Sequence, residues 1–473
     1  MPVILVTDGL IFLLIAVALG FGLYAARHPH LAEPWRQVGR SRVAAAALVV
    51  LGFYVAIGLL DSMHFHPRLA TGGDQSATDA PTPAHSTQIL SLLDLWLTPL
   101  RERDEKTFSA PFATHLFIKE PMEQPDGSLE RVYPRLKYGG AHLDDPARER
   151  GWDILVSSLL GLVKALAVWT AILLVVLGGL SWRARKPLDA LMRSLWRAPQ
   201  QAPWRVACWT LLVMLILSFI AGELALKYHI LGTDKVGEDV FFQSLKSIRT
   251  GLVIGTLTTL VMLPAAVILG IMAGYFRGLT DDIIQYLYTT LNSIPGVLLI
   301  AAAILMLQVY MTNHGDDFNS LVERADLRLL FLCLILGVTS WTGLCRLLRG
   351  ESLKLREVDY VQAATALGVR HSRILARHIL PNVLHIVMIA LVLDFSGLVL
   401  AEAVLSYVNI GVDPTMNSWG NMINSARLEL ARDPIVWWSL AAAFLFMFTL
   451  VLAANLLADV VRDAFDPRLR DAT

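Results

Sequence analysis

Charge is scarce in this chain. Asp, Glu, Lys and Arg make up 17% of its 473 residues, against about 25% in a soluble globular protein, while hydrophobic residues reach 55%. That balance excludes an ordinary soluble domain. Forty basic residues offset forty acidic ones, so no overall charge draws the chain to nucleic acid. Cysteine is almost absent: Cys208, Cys333 and Cys345 lie in apolar runs, form no CxxC pair or disulfide framework, and read as small buried hydrophobes. There is no Gly-x-x-x-x-Gly-Lys-[Ser/Thr] phosphate loop, so a nucleotide-hydrolysing site of that type is excluded from this chain. His64 and His66 are an i,i+2 pair at a membrane edge, and His85, His115 and His142 are scattered. No metal-ligand or hydrolase spacing results, and no catalytic or metal-binding residue is predicted.

What is abundant is uncharged length. Nine runs approach the ~20 residues needed to cross hydrocarbon: Gly9–Ala26, Val43–Leu60, Ala165–Trp182, Val206–Gly222, Thr250–Phe276, Ile283–Gly315, Leu329–Cys345, Pro381–Ala401 and Pro434–Ala458. The sixth is longer than one span requires, and its end beyond about Gln308 is expected outside the hydrocarbon. The fold class is therefore an all-α polytopic membrane protein of about nine transmembrane helices.

The first run follows an N-terminal segment without basic residues and precedes Arg27, the reverse of a cleaved signal peptide. A retained span with its N-terminus outside is expected. Basic residues then fall on the inner segments: Arg27, Arg36, Arg40 and Arg42; Arg183, Arg185, Lys186, Arg193, Arg197 and Arg205; and seven between Arg346 and Arg377. These clusters also suit attraction to anionic membrane lipids. Labels at Arg193 and Arg370 are expected inside, those near Asp74 and Asp316 outside. The expected organisation is two N-terminal spans (1–60), an outer insertion (61–152) containing the Pro/Gly-rich stretch Thr71–Thr87, an additional hairpin of spans (153–228), and a core (229–473) with an inner loop at 346–380. A compact cap and an irregular loop both suit the insertion.

The inner loop has a distinctive build. Val361, Ala364 and Leu367 share a helical face, and Ala363 and Ala364 keep it slim. Gly368 can end that helix in a left-handed conformation, residues 370–380 form a second short helix, and Pro381 suits the first turn of the next span. The result is a stiff basic elbow attached directly to a span.

This segment resembles the permease subunits of ATP-driven peptide importers, specifically the second permease of the dipeptide/oligopeptide/nickel group. Their pattern, Glu-Ala-Ala, three residues, Gly, then a hydrophobic stretch ending in Leu-Pro, stands here as Gln362, Ala363, Ala364, Gly368, Leu380 and Pro381. Gln362 replaces the frequent glutamate. Residues 229–241 resemble the family's outer-side pattern through His229, Gly232, Thr233, Asp234, Gly237, Asp239 and Val240, with Arg249 where a later arginine is usual. Glu238 stands where arginine is common. Residues 401–412 and 418–423, with Glu402, Trp419 and Gly420, resemble an outer re-entrant region, residues 462–470 the usual C-terminal ending, and residues 34–44 the N-terminal anchor.

The resemblance implies a type I ABC importer permease core in a bacterial inner membrane, with the N-terminus periplasmic and the C-terminus cytoplasmic. It implies a homologous second permease, two ATP-binding subunits carrying ATP and Mg, and a periplasmic substrate-binding protein as partners; this chain binds no cofactor itself. In the family the elbow docks in a groove of the ATPase. The outer segments then shape a gate or face a partner. On local chemistry alone, Asp234 and Asp239 suit an Asx turn and a helix cap, and Trp419–Gly420 an interfacial aromatic beside a flexible turn. Lys164 suits snorkelling to head groups. Asp394 is an unexpected carboxylate about fourteen positions into a span, at a cost of about 2.5–3.5 kcal/mol on insertion scales. It can line a substrate path or pair with a neighbouring helix. Peptide cargo is expected; nickel or another metal chelate is the alternative, and an ion-coupled secondary transporter would account for Asp394 but not for the elbow.

Overall fold

The long apolar stretches fold as helices because only internally hydrogen-bonded backbone survives in hydrocarbon. The computed structural model describes residues 2–27, 29–67, 88–123, 129–185, 203–315 and 320–465. All of Thr71–Thr87, with Asp74 and His85, and likewise Lys186, Arg193, Arg197, Asp316 and the tail beyond 465, lie outside the described residues.

In chain order, the short strand β1 (Pro2–Val3) leads into helices α1 (Val6–Ala26), α2 (Pro29–Arg40) and α3 (Arg42–Asp61). The excursion after α3 carries β2 (His64–Phe65), β3 (Leu90–Ser91), the short helices α4 (Leu92–Trp96) and α5 (Thr98–Arg101), and the antiparallel pair β4 (Glu120–Glu123) and β5 (Leu129–Val132). β1 pairs antiparallel with β2, and β2 with β3, so the N-terminus is tied into the excursion through Val3 opposite His64 and His64 opposite Ser91. Helices α6 (Pro146–Ala184) and α7 (Pro203–Ala225) form a pair. The rest is α8 (Val240–Phe276), α9 (Gly278–Ser293), α10 (Gly296–Asn313), α11 (Leu321–Arg356), α12 (Asp359–Ala366), α13 (His371–Ile374), a π-helical turn at Leu375–Ile379, α14 (Leu380–Tyr407), α15 (Trp419–Glu429) and α16 (Trp438–Phe465).

Eight helices are long and apolar enough to cross a membrane among the described residues. The ninth expected span is α1, 21 residues long, of which Val6–Gly20 is a shorter apolar stretch. Two boundaries differ from expectation. The run Ile283–Gly315 is not one helix: Ile294 is extended and Pro295 precedes α10, so α9 and α10 are separate. Helix α6 starts at Pro146, capped by Asp145, well before its apolar stretch.

The core is the α8–α11 pair. A Cβ on Gly270 would lie 2.8 Å from the Cys345 carbonyl, and one on Gly274 2.5 Å from that of Arg349, so a Gly-x-x-x-Gly face lets the two backbones meet. Helix α14 closes on α8 where Phe395 covers Gly255, and α3 binds α16 through Tyr54, whose hydroxyl donates to the Phe446 carbonyl at 2.8 Å.

Candidate functional site

Two ends of this bundle hold the residues singled out from the sequence. At the end bearing the excursion, residues 229–239 form a tight loop ahead of α8. Asp234 Oδ1 accepts from the amides of Val236 and Glu238, both at 2.9 Å, an Asx-type turn. Asp239 Oδ1 caps α8 by accepting from the amides of Phe241 and Phe242 at 2.8 and 3.1 Å. Gly237 has φ of +86°, and a Cβ there would fall 1.8 Å from the Glu105 carbonyl oxygen. Gly232, at φ +70°, is likewise covered by the Ser109 carbonyl, though less closely. Thr233 is fully buried; its hydroxyl donates to the Thr107 carbonyl at 2.9 Å and accepts from the Ser109 amide at 2.7 Å, while its carbonyl accepts from Trp438 Nε1. The excursion thus closes over this loop instead of leaving it open.

Its centre is electrostatic. His229 Nδ1 lies 2.7 Å from Asp239 Oδ2, and Nε2 lies 3.4 Å from Glu105 Oε1, at ion-pair distance without hydrogen-bond geometry. Burial opposes charge on His229, but the two carboxylates outweigh it and raise its pKa to about 9. Burial likewise opposes ionised Glu105, yet His229 and the amides of Lys137, Tyr138 and Gly139 bring it down to about 2. Glu238 accepts from Gln243 Nε2 at 2.8 Å, and burial holds its pKa above the usual carboxylate range.

Below this loop lies a cluster that sequence reading missed. Arg249, buried on α8, donates to Asp8 Oδ1 of α1 at 2.6 Å and to Thr7 Oγ1 at 3.0 Å, and lies 3.4 Å from Asp326 of α11. Asp8 also meets His64 Nδ1 at 2.8 Å. One turn earlier, Lys246 reaches Asp61 at 2.5 Å and Asp94 at 3.0 Å. The available signal was weak: an isolated aspartate opening an apolar helix, and an arginine in a span that has to find a counter-charge.

The region after α14 is also packed. Glu402 is buried and accepts from Ser406 Oγ at 2.7 Å. Trp419 is 1% exposed and donates from Nε1 to the Ser244 carbonyl at 3.2 Å, which corrects the expectation of an interfacial anchor. Gly420 lies in the first turn of α15, not in a flexible turn, and a Cβ there would fall 2.9 Å from Glu402 Oε1. Lys164 does not simply snorkel: it pairs with Glu223 of α7 at 2.5 Å. Asp394 is half-buried on α14, and no hydrogen bond or ion pair reaches it among the described residues.

At the opposite end, Gly368 adopts φ +74° after α12 with open space around it. Val361 and Ala364 face inward at 1% and 8% exposure, whereas Leu367 is 83% exposed beside exposed Gln362 and Ala363. The expected shared face of Val361, Ala364 and Leu367 is therefore corrected: Leu367 follows the helix and turns away. Nor is there a break before the span, since α13, the π-helical turn and α14 run on continuously, with Pro381 in the first turn of α14. The elbow is braced from behind by Tyr275 to His371 at 2.8 Å, Arg277 to Glu357 at 2.8 Å, and a bidentate Arg349–Asp281 pair at 2.6 and 2.8 Å.

Residues 266–471 match the family described as the binding-protein-dependent transport system inner membrane component. The chain is 32% identical over 244 residues to the glutathione transport system permease protein of Pectobacterium atrosepticum, covering 51% of this chain and 73% of that one. It is 30% identical over 244 residues to the oligopeptide transport system permease protein of Haemophilus influenzae (51% and 71%) and 29% over 242 residues to the dipeptide transport system permease protein of Bacillus subtilis (51% and 69%). Identity of this extent over most of a relative's length places the chain in the peptide/nickel family of binding-protein-dependent ABC importer permeases.

Proposed function

We propose that this permease imports dipeptides or oligopeptides as half of an alternating-access pathway, driven by ATP hydrolysis on two partner subunits. The observation that carries the reading is the elbow: an open face of Gln362, Ala363 and Leu367, braced behind, whose second limb is one helix with a membrane span. A push there moves α14 as a rigid lever. Ala364, Gly368, Leu380 and Pro381 shape the lever, and Leu367 supplies its apolar contact with the ATPase. On this reading the elbow is cytoplasmic and the loop Gly232–Asp239 periplasmic, with the N-terminus periplasmic and the C-terminus cytoplasmic. The body from 229 onward is the transport machine; residues 61–152 and the 153–228 hairpin are additions to it. Glu402, Trp419 and Gly420 hold the outer gate, a homologous second permease completes the pathway, and a periplasmic binding protein delivers cargo. The relatives' named cargoes, glutathione, oligopeptides and dipeptides, favour peptides over metal chelates.

Uptake by membrane vesicles containing the assembled complex tests this. Peptides are expected to enter with ATP, and nickel chelates are not. Leu367→Asp is expected to lower uptake and transport-stimulated ATP hydrolysis by more than tenfold at equal abundance, since a desolvated apolar anchor typically supplies ~2 kcal/mol or more. Asp394→Asn is expected to impair free-amine peptides more than acetylated ones if its unpartnered carboxylate lines the path. Chelate uptake without peptide uptake rejects the cargo, and unchanged coupling in Leu367→Asp rejects the lever.

A further inference from the structure

The added pair α6–α7 carries a feature that transport does not use. The two helices come close at Gly161, where a Cβ would lie 2.8 Å from Ile220 Cα and 3.0 Å from its nitrogen. Two turns on, an indole is needed to bridge them: Trp169 Nε1 donates to the Cys208 carbonyl at 3.0 Å. Beyond that bridge lies a groove of about 680 Å³, walled by Leu173, Leu177 and Leu180 on α6 and by Trp209 and Arg205 on α7. Arg183 and Arg185 are exposed at the same end, beside Trp182 at 88% exposure.

We propose that this groove is a specific site for one anionic phospholipid, with an acyl chain between α6 and α7 and its phosphate beside Arg205. The apolar walls exclude a polar solute, and at hydrocarbon depth such a groove is filled by lipid tails. Its volume holds little more than roughly one turn of a helix 10–12 Å across, too little to seat a spanning helix from another protein. Arginine forks onto phosphate oxygens, tryptophan marks head-group level, and basic groups between spanning helices at their ends capture anionic head groups. Charge complementarity thus selects an anionic lipid over a zwitterionic one. The role is separate from cargo: the site lies on the pair outside the permease core and would tie it to its lipid surroundings.

Native mass spectrometry of the full chain tests the site, after exchange against equimolar phosphatidylglycerol and phosphatidylcholine of equal chain length. One phosphatidylglycerol per chain is expected to be retained, with about a fivefold or greater preference, the effect of one basic group near a head group. Arg205→Gln is expected to reduce the preference to near unity, Arg205→Lys to keep part of it, and Leu177→Trp, which narrows the groove beside the acyl chain, to lower the retention of both lipids. Equal retention by wild type, a preference surviving Arg205→Gln, or unchanged retention in Leu177→Trp overturns the proposal. If the variants do not accumulate, quenching of wild-type tryptophan fluorescence decides. Stronger quenching by brominated phosphatidylglycerol than by brominated phosphatidylcholine supports the site, and equal quenching rejects it.

Discussion

The two ends of the bundle handle charge in opposite ways. At the end covered by the excursion, Arg249, Lys246 and His229 are largely buried, and each meets two carboxylates, all but Asp239 supplied by elements far away in sequence: Asp8 and Asp326, Asp61 and Asp94, Glu105 and Asp239. At the elbow end, Arg277 and Glu357 pair while each stays about half exposed, and Gln362 donates to the carbonyl and carboxylate of the nearby Glu357. Buried ion pairs repay their desolvation only with good geometry, and removing one partner leaves a stranded charge; exposed pairs contribute little either way. The covered end is therefore completed within the chain, and the elbow end keeps a surface for something else to complete.

The sharpest way to break this comparison is to remove one cation at each end. Arg249→Met removes the cation shared by Asp8 and Asp326 and is expected to cost roughly 3–5 kcal/mol, seen as loss of the folded protein or a large drop in its thermal midpoint in mild detergent. Arg277→Met is expected to cost about 0–1 kcal/mol. Equal effects would mean that the covered end is no more self-contained than the elbow.

The residues that make the covered end self-contained were the least legible ones. Chain positions of the spans follow from hydropathy, and the turn and cap roles of Asp234 and Asp239 follow from local chemistry that needs only neighbouring amides. Gly368 was readable for the same reason. Arg249 was visible as an arginine, but its partners were not: Asp8 is 241 positions away and Asp326 is 77, and no local pattern encodes such a pairing. Trp419 failed in a related way. An aromatic after a span reads as a membrane-interface residue until α15 folds back and buries it under α8. The break at Pro295 was printed in the sequence but hidden by the lack of charge on both sides, from Ile283 to Gly315.

Two glycines with the same backbone need sharpen the contrast further. Gly237 and Gly368 both sit at strongly positive φ, but the first lies against the Glu105 backbone and the second has open space around it. Alanine at 368 meets only the conformational penalty, about 1–2 kcal/mol. Alanine at 237 adds a backbone overlap that has to be relieved by moving the excursion, for a total of roughly 2–5 kcal/mol. Thermal unfolding of the two variants in parallel measures the difference; a Gly237→Ala protein as stable as Gly368→Ala would show that the excursion does not clasp the loop.

A last expected effect is a pH dependence confined to the covered end. His229 binds its proton more tightly in the folded chain than free, with a pKa of about 9 against an ordinary 6.5. The stability this supplies is fully present below pH 6.5 and is lost as pH rises through about 9, at most roughly 3 kcal/mol at 1.36 kcal/mol per pH unit. Glu105 is opposite in sign: held at about 2 against an ordinary 4.5, it stabilises above pH 4.5 and loses that contribution as pH falls through about 2. The clasp is thus strongest between pH 4.5 and 6.5 and loosens toward alkaline pH. His229→Gln keeps a donor at that position but carries no titrating charge, so its thermal midpoint is expected to lie below wild type at pH 6 and to converge on it by pH 9.5. Parallel curves for the two proteins from pH 6 to 9.5 would show that His229 is not held charged between Asp239 and Glu105, and the covered end would then rest on Arg249 and Lys246 alone.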